Sequence, residues 1–554
     1  MSLQRILITD NNTFFSFTFT IKYFIMVSQR KVPGVYIKEL HSFPNSVVAV
    51  ETALPVFIGY TERVNFKGVS LQNKPIRIES LRDYTTMFGA GAKSTFKLNA
   101  VNPSEEETFV ASPAEVILNG EPYRISIEKL FYMYNSLRLF FANGGRSCYI
   151  MSIGTYEKEG SNGTDISDFI NISLSGISKT VFELLEMEQG PTMILIPDAL
   201  SLPQSDYYKM MNLSLEHCGK VQSRITLIDA YIDNTVYDSD TFVSLNTNQY
   251  DPISVLRNEI ESSYLSYGVA YYPWLNTNVV SASKLEKYDI ISNFKTPYMD
   301  IDEKIVKKIT SKLSSLPAPL AVDSTDSEKR KYNSALLSLH NKLKRVSPNY
   351  SLIIKALLLK INCLPATSAV AGCIAFIDST KGVWKAPANI ALKGVHSPVI
   401  NISSELQSKL NVDSNTGKSV NAIRPFTGNG VLIWGARTLD GNSQDWRYVN
   451  VRRTLIMLEQ SIKLAVKSYV FAANDANTWI NLKSEIENFL TGIWKQGGLA
   501  GSKPEEAFCV MVGLGSTMTA QDILDGYLNL VVLVAATRPA EFIEISFRQQ
   551  LQIS

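Results

Sequence analysis

Histidine and cysteine are scarce here: four and five in 554 residues. His41, His217, His340 and His396 form no HxxxH, HExxH or Cys-His arrangement, so zinc chemistry has no ligand set to build on. Each is read as a surface or hydrogen-bonded histidine. Cys148, Cys218, Cys363, Cys373 and Cys509 form no CxxC pair and are odd in number. Buried free thiols in a reducing compartment are the expectation. No uncharged apolar run reaches about 18 residues, so no membrane-spanning helix is expected. The net charge of +2 gives no overall basic excess for nucleic acid.

Catalytic signatures are missing as well. No GxxxxGK[ST], no GxGxxG after a strand and no GxSxG elbow occurs. GLGST, 513–517, has the glycines of a phosphate loop but no lysine. DGNSQDW, 440–446, starts like a calcium loop, but position twelve is Val451 where a glutamate is required. The expectation is therefore no catalytic residue, no cofactor and no metal. An α/β enzyme holding an anionic or phosphorylated small molecule at 513–517 is the alternative.

What is present is an ordinary folded chain: 45% apolar, 19% charged, long enough for three or four domain-sized units. The stretch 13–26, TFFSFTFTIKYFIM, is short, carries Lys22 and follows Asp10, where a signal peptide wants basic residues. It reads as a translated upstream extension ahead of a start at Met26, with an ordered arm as the alternative. Residues 53–60, SCYIMSI at 147–153, 192–196 and 225–228 read as buried strands, with helical sequence between the last two. That alternation predicts an α/β layer structure. Residues 80–88 predict a short helix, 116–127 a hairpin turning at Asn119-Gly120, and 127–141 a helix. Residues 369–377 read as a strand, 453–471 and 476–495 as amphipathic helices, and 528–536 as a central strand. The Lys-rich stretch 281–351 reads as solvated helices. The arginines of RYVNVRR, 447–453, sit at a helix start, where basic charge wants carboxylate partners, within or between chains.

The tail, AEFIEISFRQQLQIS, alternates cleanly. Ile543, Ile545, Phe547, Leu551 and Ile553 fall on one side and only Gln549 breaks it. Such a strand needs its edge paired. Pairing inside its own domain and strand addition to another chain both satisfy that need.

Six ordered motifs over about 190 residues resemble the tail sheath proteins of contractile phage tails and injection systems, of the one-chain type. They are LPATSAVAGCIAFIDSTKGVWKAPANIAL (364–392), NAIRPFTGNGVLIWGARTL (421–439), WRYVNVRR (446–453), FLTGIWKQGGLAGSKPEEAFCV (489–510), TMTAQDILDGYLNLVVLVA (517–535) and RPAEFIEISFRQ (538–549). KVPGVYIKEL, FFANGGRSCYIMSIG and SYGVAYYPWL agree less tightly. The likeness fades over 90–127 and 281–351, which read as insertions.

The resemblance implies a mixed α/β sheath fold: a C-terminal core with a mixed sheet flanked by helices, an inserted N-terminal α/β domain and extended arms. The implied organisation is an extension (1–26), an arm and first core strand (27–60) and an α/β domain (61–275, with an insertion near 90–127). A helical insertion (276–360), a core domain (361–538) and an arm strand (539–554) complete it. It implies a non-enzymatic subunit of a helical homo-oligomer around an inner tube protein, with baseplate and terminal cap proteins as partners. Neither nucleic acid nor direct membrane insertion is implied. Assembly would occur in the bacterial cytoplasm, with the product part of a released particle. A static shell protein is the alternative. The inter-subunit arms would carry Val35, Tyr36, Ile37, Phe542, Ile543, Ile545, Phe547 and Leu551. Trp384, Pro387, Asn389, Arg424, Trp434, Arg437, Arg452 and Arg453 would be structural joints. Lys483, Glu487, Lys495, Lys503 and Glu505 would be candidates for touching the tube.

Overall fold

The apolar runs at the middle of the chain become strands buried on both faces, as parallel sheets require. The computed structural model describes residues 47–92, 96–100, 115–118, 120–127, 130–156, 164–174, 177–232, 251–281, single helical positions between 327 and 345, 347–413, 415–542 and 544. The extension, residues 27–46 with Val35, Tyr36 and Ile37, and Ile543, Ile545, Phe547 and Leu551 lie outside them.

Nine strands form the principal sheet. They are β1 (Pro55–Thr61), β2 (Pro75–Ile78), β3 (Cys148–Thr155), β4 (Met193–Leu195), β5 (Ile225–Asp229), β6 (Gly268–Tyr272), β7 (Ile390–Ala391), β8 (Asn421–Phe426) and β9 (Gly430–Trp434). Their order is β7-β9-β8-β6-β5-β4-β1-β3-β2. The run from β8 to β3 is parallel. Antiparallel β9 and β7 close one edge, and antiparallel β2 the other. Helices α1 (Met133–Ala142), α2 (Gln204–Val221), α3 (Thr367–Lys381), α4 (Val449–Val466) and α5 (Ala476–Lys495) supply the main helical packing. A two-stranded antiparallel ribbon, β10 (Phe508–Val512) with β11 (Leu530–Val534), packs with α5.

Several expectations hold. Ser80 caps Leu81–Met87, Leu118 pairs with Glu121 across the expected hairpin turn, and α5 begins and ends at the expected residues. Others fail for identifiable reasons. Residues 369–377 lie within α3, not in a strand. Their nine apolar or small residues suit either element, and burial almost all round hides the helical period. Residue 127 ends a strand, and α1 starts only at Met133. Among the described residues the 528–536 run is not central: β11 has one neighbour in its sheet, and Val531 and Leu533 are exposed. Cys509 is also exposed, unlike the four other thiols. His217 is buried against Phe182, and neither ring nitrogen has a hydrogen-bond partner.

The two stretches read as separate insertions share one core. Strands Phe96–Ala100, Glu121–Ile127 and Glu115–Leu118 form a small sheet. Val116, Leu118 and Ile125 pack with Tyr350, Ile353 and Leu357 of the helix Pro348–Ile361. At the base, Leu275–Thr277 pairs with both Cys363–Leu364 and Val395–Pro398. There Asn362 uses its side-chain amide as a clasp: Oδ1 accepts from Val280 N at 2.8 Å, and Nδ2 donates to Val280 O at 2.8 Å.

Candidate assembly surface

In parallel α/β sheets ligands usually bind beyond the carboxyl ends of the strands, against helix N-termini. Here the protein's own carboxylates occupy those positions. Asp198, fully buried after β4, accepts from Tyr60 N at 2.8 Å, Tyr132 N at 2.7 Å and Met133 N at 3.0 Å. It therefore caps α1, whose own N-cap residue, Tyr132, makes no side-chain cap bond. Asp229, at the end of β5, caps α3 likewise. It accepts from Ala366 N at 2.7 Å, Thr367 N at 3.1 Å and Thr367 Oγ1 at 2.5 Å. Burial pushes both carboxyls up to about 6, and these donors pull the other way. Nothing in the sequence marked either aspartate, because each caps a helix far away in the chain.

The GLGST loop is likewise turned on itself. Thr517 N and Met518 N donate to Gly513 O, and Gly513 N donates to Thr517 Oγ1. The next helix, Ala520–Leu524, is capped by Thr519 and Asp522. Among the described residues no His, Cys, Asp or Glu cluster could hold a metal ion.

The joint residues divide: Trp384 meets α4 through Asn450, Arg452 and Arg453 belong to α4, and Arg424 and Trp434 lie on β8 and β9. Trp384 packs on Gly382 and Gly498, where a Cβ would come within 2.4 and 2.8 Å of its ring. Its carbonyl accepts from Asn450 Nδ2 at 2.9 Å. Pro387 is buried, and Asn389 turns the chain at φ 59° while its N–H donates to Ile433 O. Arg424 donates to Gln407 at 2.5 Å and covers Phe426, which packs on half-exposed Trp434. The arginine cluster divides. Arg453 forms a buried, two-pronged pair with Asp378 at 2.9 and 2.5 Å and donates to Thr52 O. Arg452 instead lies between Trp446 and Tyr267 and donates to Ser266 Oγ at 2.7 Å. Burial lowers its pKa. Arg437 pairs with Glu541.

Lys483, Lys495, Lys503 and Glu505 are exposed, and Glu487 forms a loose i,i+4 pair with Lys483 at 3.8 Å. Phe542, the one arm residue named above that is described, is 78% exposed. Phe471, Ile480, Leu524, Tyr527 and Leu533 are exposed as well. Within the ribbon, Leu530, Val532 and Val534 pack inward while Val531 and Leu533 face out. Both long edges lack a third strand among the described residues. This is a sheet fragment with an apolar outer face and free edges.

A family described as phage tail sheath C-terminal domain matches residues 442–550, the segment that holds α4, α5, the ribbon and the tail. Over this segment the chain is similar to tail sheath proteins. It is 28% identical over 139 residues to the tail sheath protein of Vibrio phage KVP40, an alignment spanning 24% of this chain and 20% of that one. The helical sheath of the anti-feeding prophage in its contracted state superposes with a TM-score of 0.53 at 25% identity, covering 94% of this chain and all of the other. The sheath of the extracellular contractile injection system PVC, also contracted, gives 0.55 at 24% identity over 94% and 98% of the two chains. Its fold is the fold of this chain.

Proposed function

We propose that the chain is the structural subunit of a contractile sheath, polymerising helically around an inner tube. The observation that carries this is the two-stranded ribbon, whose long edges have no third strand among the described residues and whose outer face is apolar, together with a tail whose sequence alternates as a strand. Strand addition between copies satisfies both at once. The N-terminal arm around Val35, Tyr36 and Ile37 and the C-terminal arm with Ile543, Ile545, Phe547 and Leu551 are the added strands. Repetition of one such non-closing contact generates a helical filament. The chain works without catalysis. The buried carboxylates of Asp198 and Asp229 support this, because they fill the places where an anionic substrate would sit. No helix among the described residues is long and apolar enough to cross a membrane.

Contraction is then a passage between two discrete packings of the same subunits, held together by backbone ladders. A difference of only about 1–3 kcal/mol per coupled contact suffices when summed over many copies. Lys483, Glu487, Lys495, Lys503 and Glu505 provide weak, exposed charge contacts to the tube, suited to release. Baseplate and terminal cap proteins hold the extended state, and assembly takes place in the bacterial cytoplasm.

The test is electron microscopy of the purified chain alone and with its 543–554 segment deleted. Hollow striated cylinders from the full chain, and folded but unpolymerised protein from the deletion, are expected. Normal cylinders from the deletion would refute arm exchange. Binding of a phosphate or nucleotide at 513–517 would favour an enzyme instead.

A further inference from the structure

Near the end of the described chain, Glu541 is tied and Phe542 is exposed. Thr537 is held at both ends of its polar reach: its carbonyl accepts from Asn450 Nδ2 at 3.0 Å, and its hydroxyl donates to Gly497 O at 3.1 Å. Arg538 faces Asp445 at 3.5 Å. Glu541 is gripped by Arg437 through Nε at 3.0 and 3.1 Å and Nη2 at 2.5 Å, and Tyr448 Oη adds a bond at 3.2 Å. The Arg437 side chain is 7% exposed and that of Glu541 25%. Phe542, next in line, is 78% exposed.

The grip is anchored deep in the sheet. Arg437 N donates to Asn421 Oδ1 at 2.8 Å, and Asn421 Nδ2 donates to Arg437 O at 2.7 Å and to Ala270 O at 3.0 Å. A continuous hydrogen-bonded chain therefore runs from β6 through Asn421 of β8 and Arg437 to Glu541. A two-pronged guanidinium–carboxylate contact is geometrically specific as well as strong. It fixes both the position and the direction of the segment leaving the core.

We infer that Arg437, Tyr448 and Glu541 form a fixed root for the C-terminal arm, so that a subunit turns relative to the copy its arm reaches only about the residues just after Glu541. This rests on the sheath reading. Residues 537–541 travel with the core, and any turning falls on the chain beyond Glu541. The root thereby restricts the angles that neighbouring copies can take, and with them the number of packings available to the polymer. Arg437, Tyr448 and Glu541 are positioning residues in this scheme.

The test begins with the unassembled full chain carrying Cys509→Ser, to remove the exposed thiol, and spin labels at Phe542→Cys and Lys463→Cys on α4. The distance distribution is expected to be narrow. Glu541→Ala should at least double its width while the chain stays folded, with some fall in melting temperature from the unpaired Arg437, and Glu541→Gln should fall between. An equal width in Glu541→Ala overturns the fixed root. In the second arm, cylinders from Glu541→Ala should form but lose helical order in diffraction; unchanged order overturns the inferred control of packing. If the unsubstituted chain forms no cylinders at all, the sheath reading fails, while the distance widths still decide whether the root is rigid.

Discussion

Arg453 and Asp378 lie 2.5 Å apart with side chains 4% and 6% exposed, joining the start of α4 to the end of α3. Thr52 completes the node: its carbonyl accepts from Arg453, and its hydroxyl donates to Asp378. The segment entering β1 is thus tied to two helices that lie far along the chain. Removing one partner leaves a buried charge unmatched, which costs about 3–5 kcal/mol. Arg453→Ala and Asp378→Ala should each lose that much in denaturant unfolding. Asp378→Asn should lose less, and the double variant less than the sum of the single ones.

The two capping aspartates have a pH signature. Their folded values are raised to about 6 from 3.8. Their contribution to stability is therefore fully present below about pH 4 and is lost as pH rises through 6. Asp198→Asn should remove part of that slope. It should also cost about 1–3 kcal/mol at pH 7, because an amide cannot accept from all three backbone N–H groups. A flat stability profile between pH 4 and 6 in the unsubstituted chain, once the histidine contribution below is removed, would count against the assignment.

His217 acts in the opposite sense. Burial, followed by the neighbouring Arg224, lowers its pKa to about 4 from 6.5. Its contribution is complete above pH 6.5 and is lost as pH falls toward 4. His217→Phe retains the aromatic contact with Phe182 and removes two unpartnered nitrogens. Melting temperatures should show a larger gain for this variant at pH 5 than at pH 7.5.

Gly372 marks the crossing of α3 and α1. A Cβ there would lie 2.4 Å from Phe140 O, a backbone atom that cannot turn aside. Gly372→Ala should destabilise by roughly 1–3 kcal/mol through overpacking. Thermal unfolding measures this directly.

The insertion module should behave as a single unit. Deleting only 93–127 exposes the apolar face of the helix Pro348–Ile361 and should yield aggregating protein. Replacing both 93–127 and 282–361 with short linkers should leave a soluble core. Asn362→Ala should loosen the base, seen as faster amide exchange at Val280 and Thr277.

Much of the fold was legible because it is encoded locally. Buried strands announce themselves as short apolar runs, Ser80 and the Asn119-Gly120 pair mark a cap and a turn, and α5 carries its period on its surface. The helix α3 was misread because a segment buried all round has no polar face to show its period. Leu530–Val534 was misread for a related reason: a strand with one face on a core and one face bare can be as apolar as a central one.

The sequence by itself determined the layer class, the ordered sheath motifs and the alternation of the tail, since each depends on near neighbours in the chain. Only the tertiary structure decided which partners meet: Asp198 with α1, Asp229 with α3, Arg437 with Glu541, and two distant insertions around one core. These contacts join residues tens to hundreds of positions apart, and a single side chain's type does not say which distant backbone amide or guanidinium it will find. Folding chooses them by the cost of leaving a buried polar group unpaired.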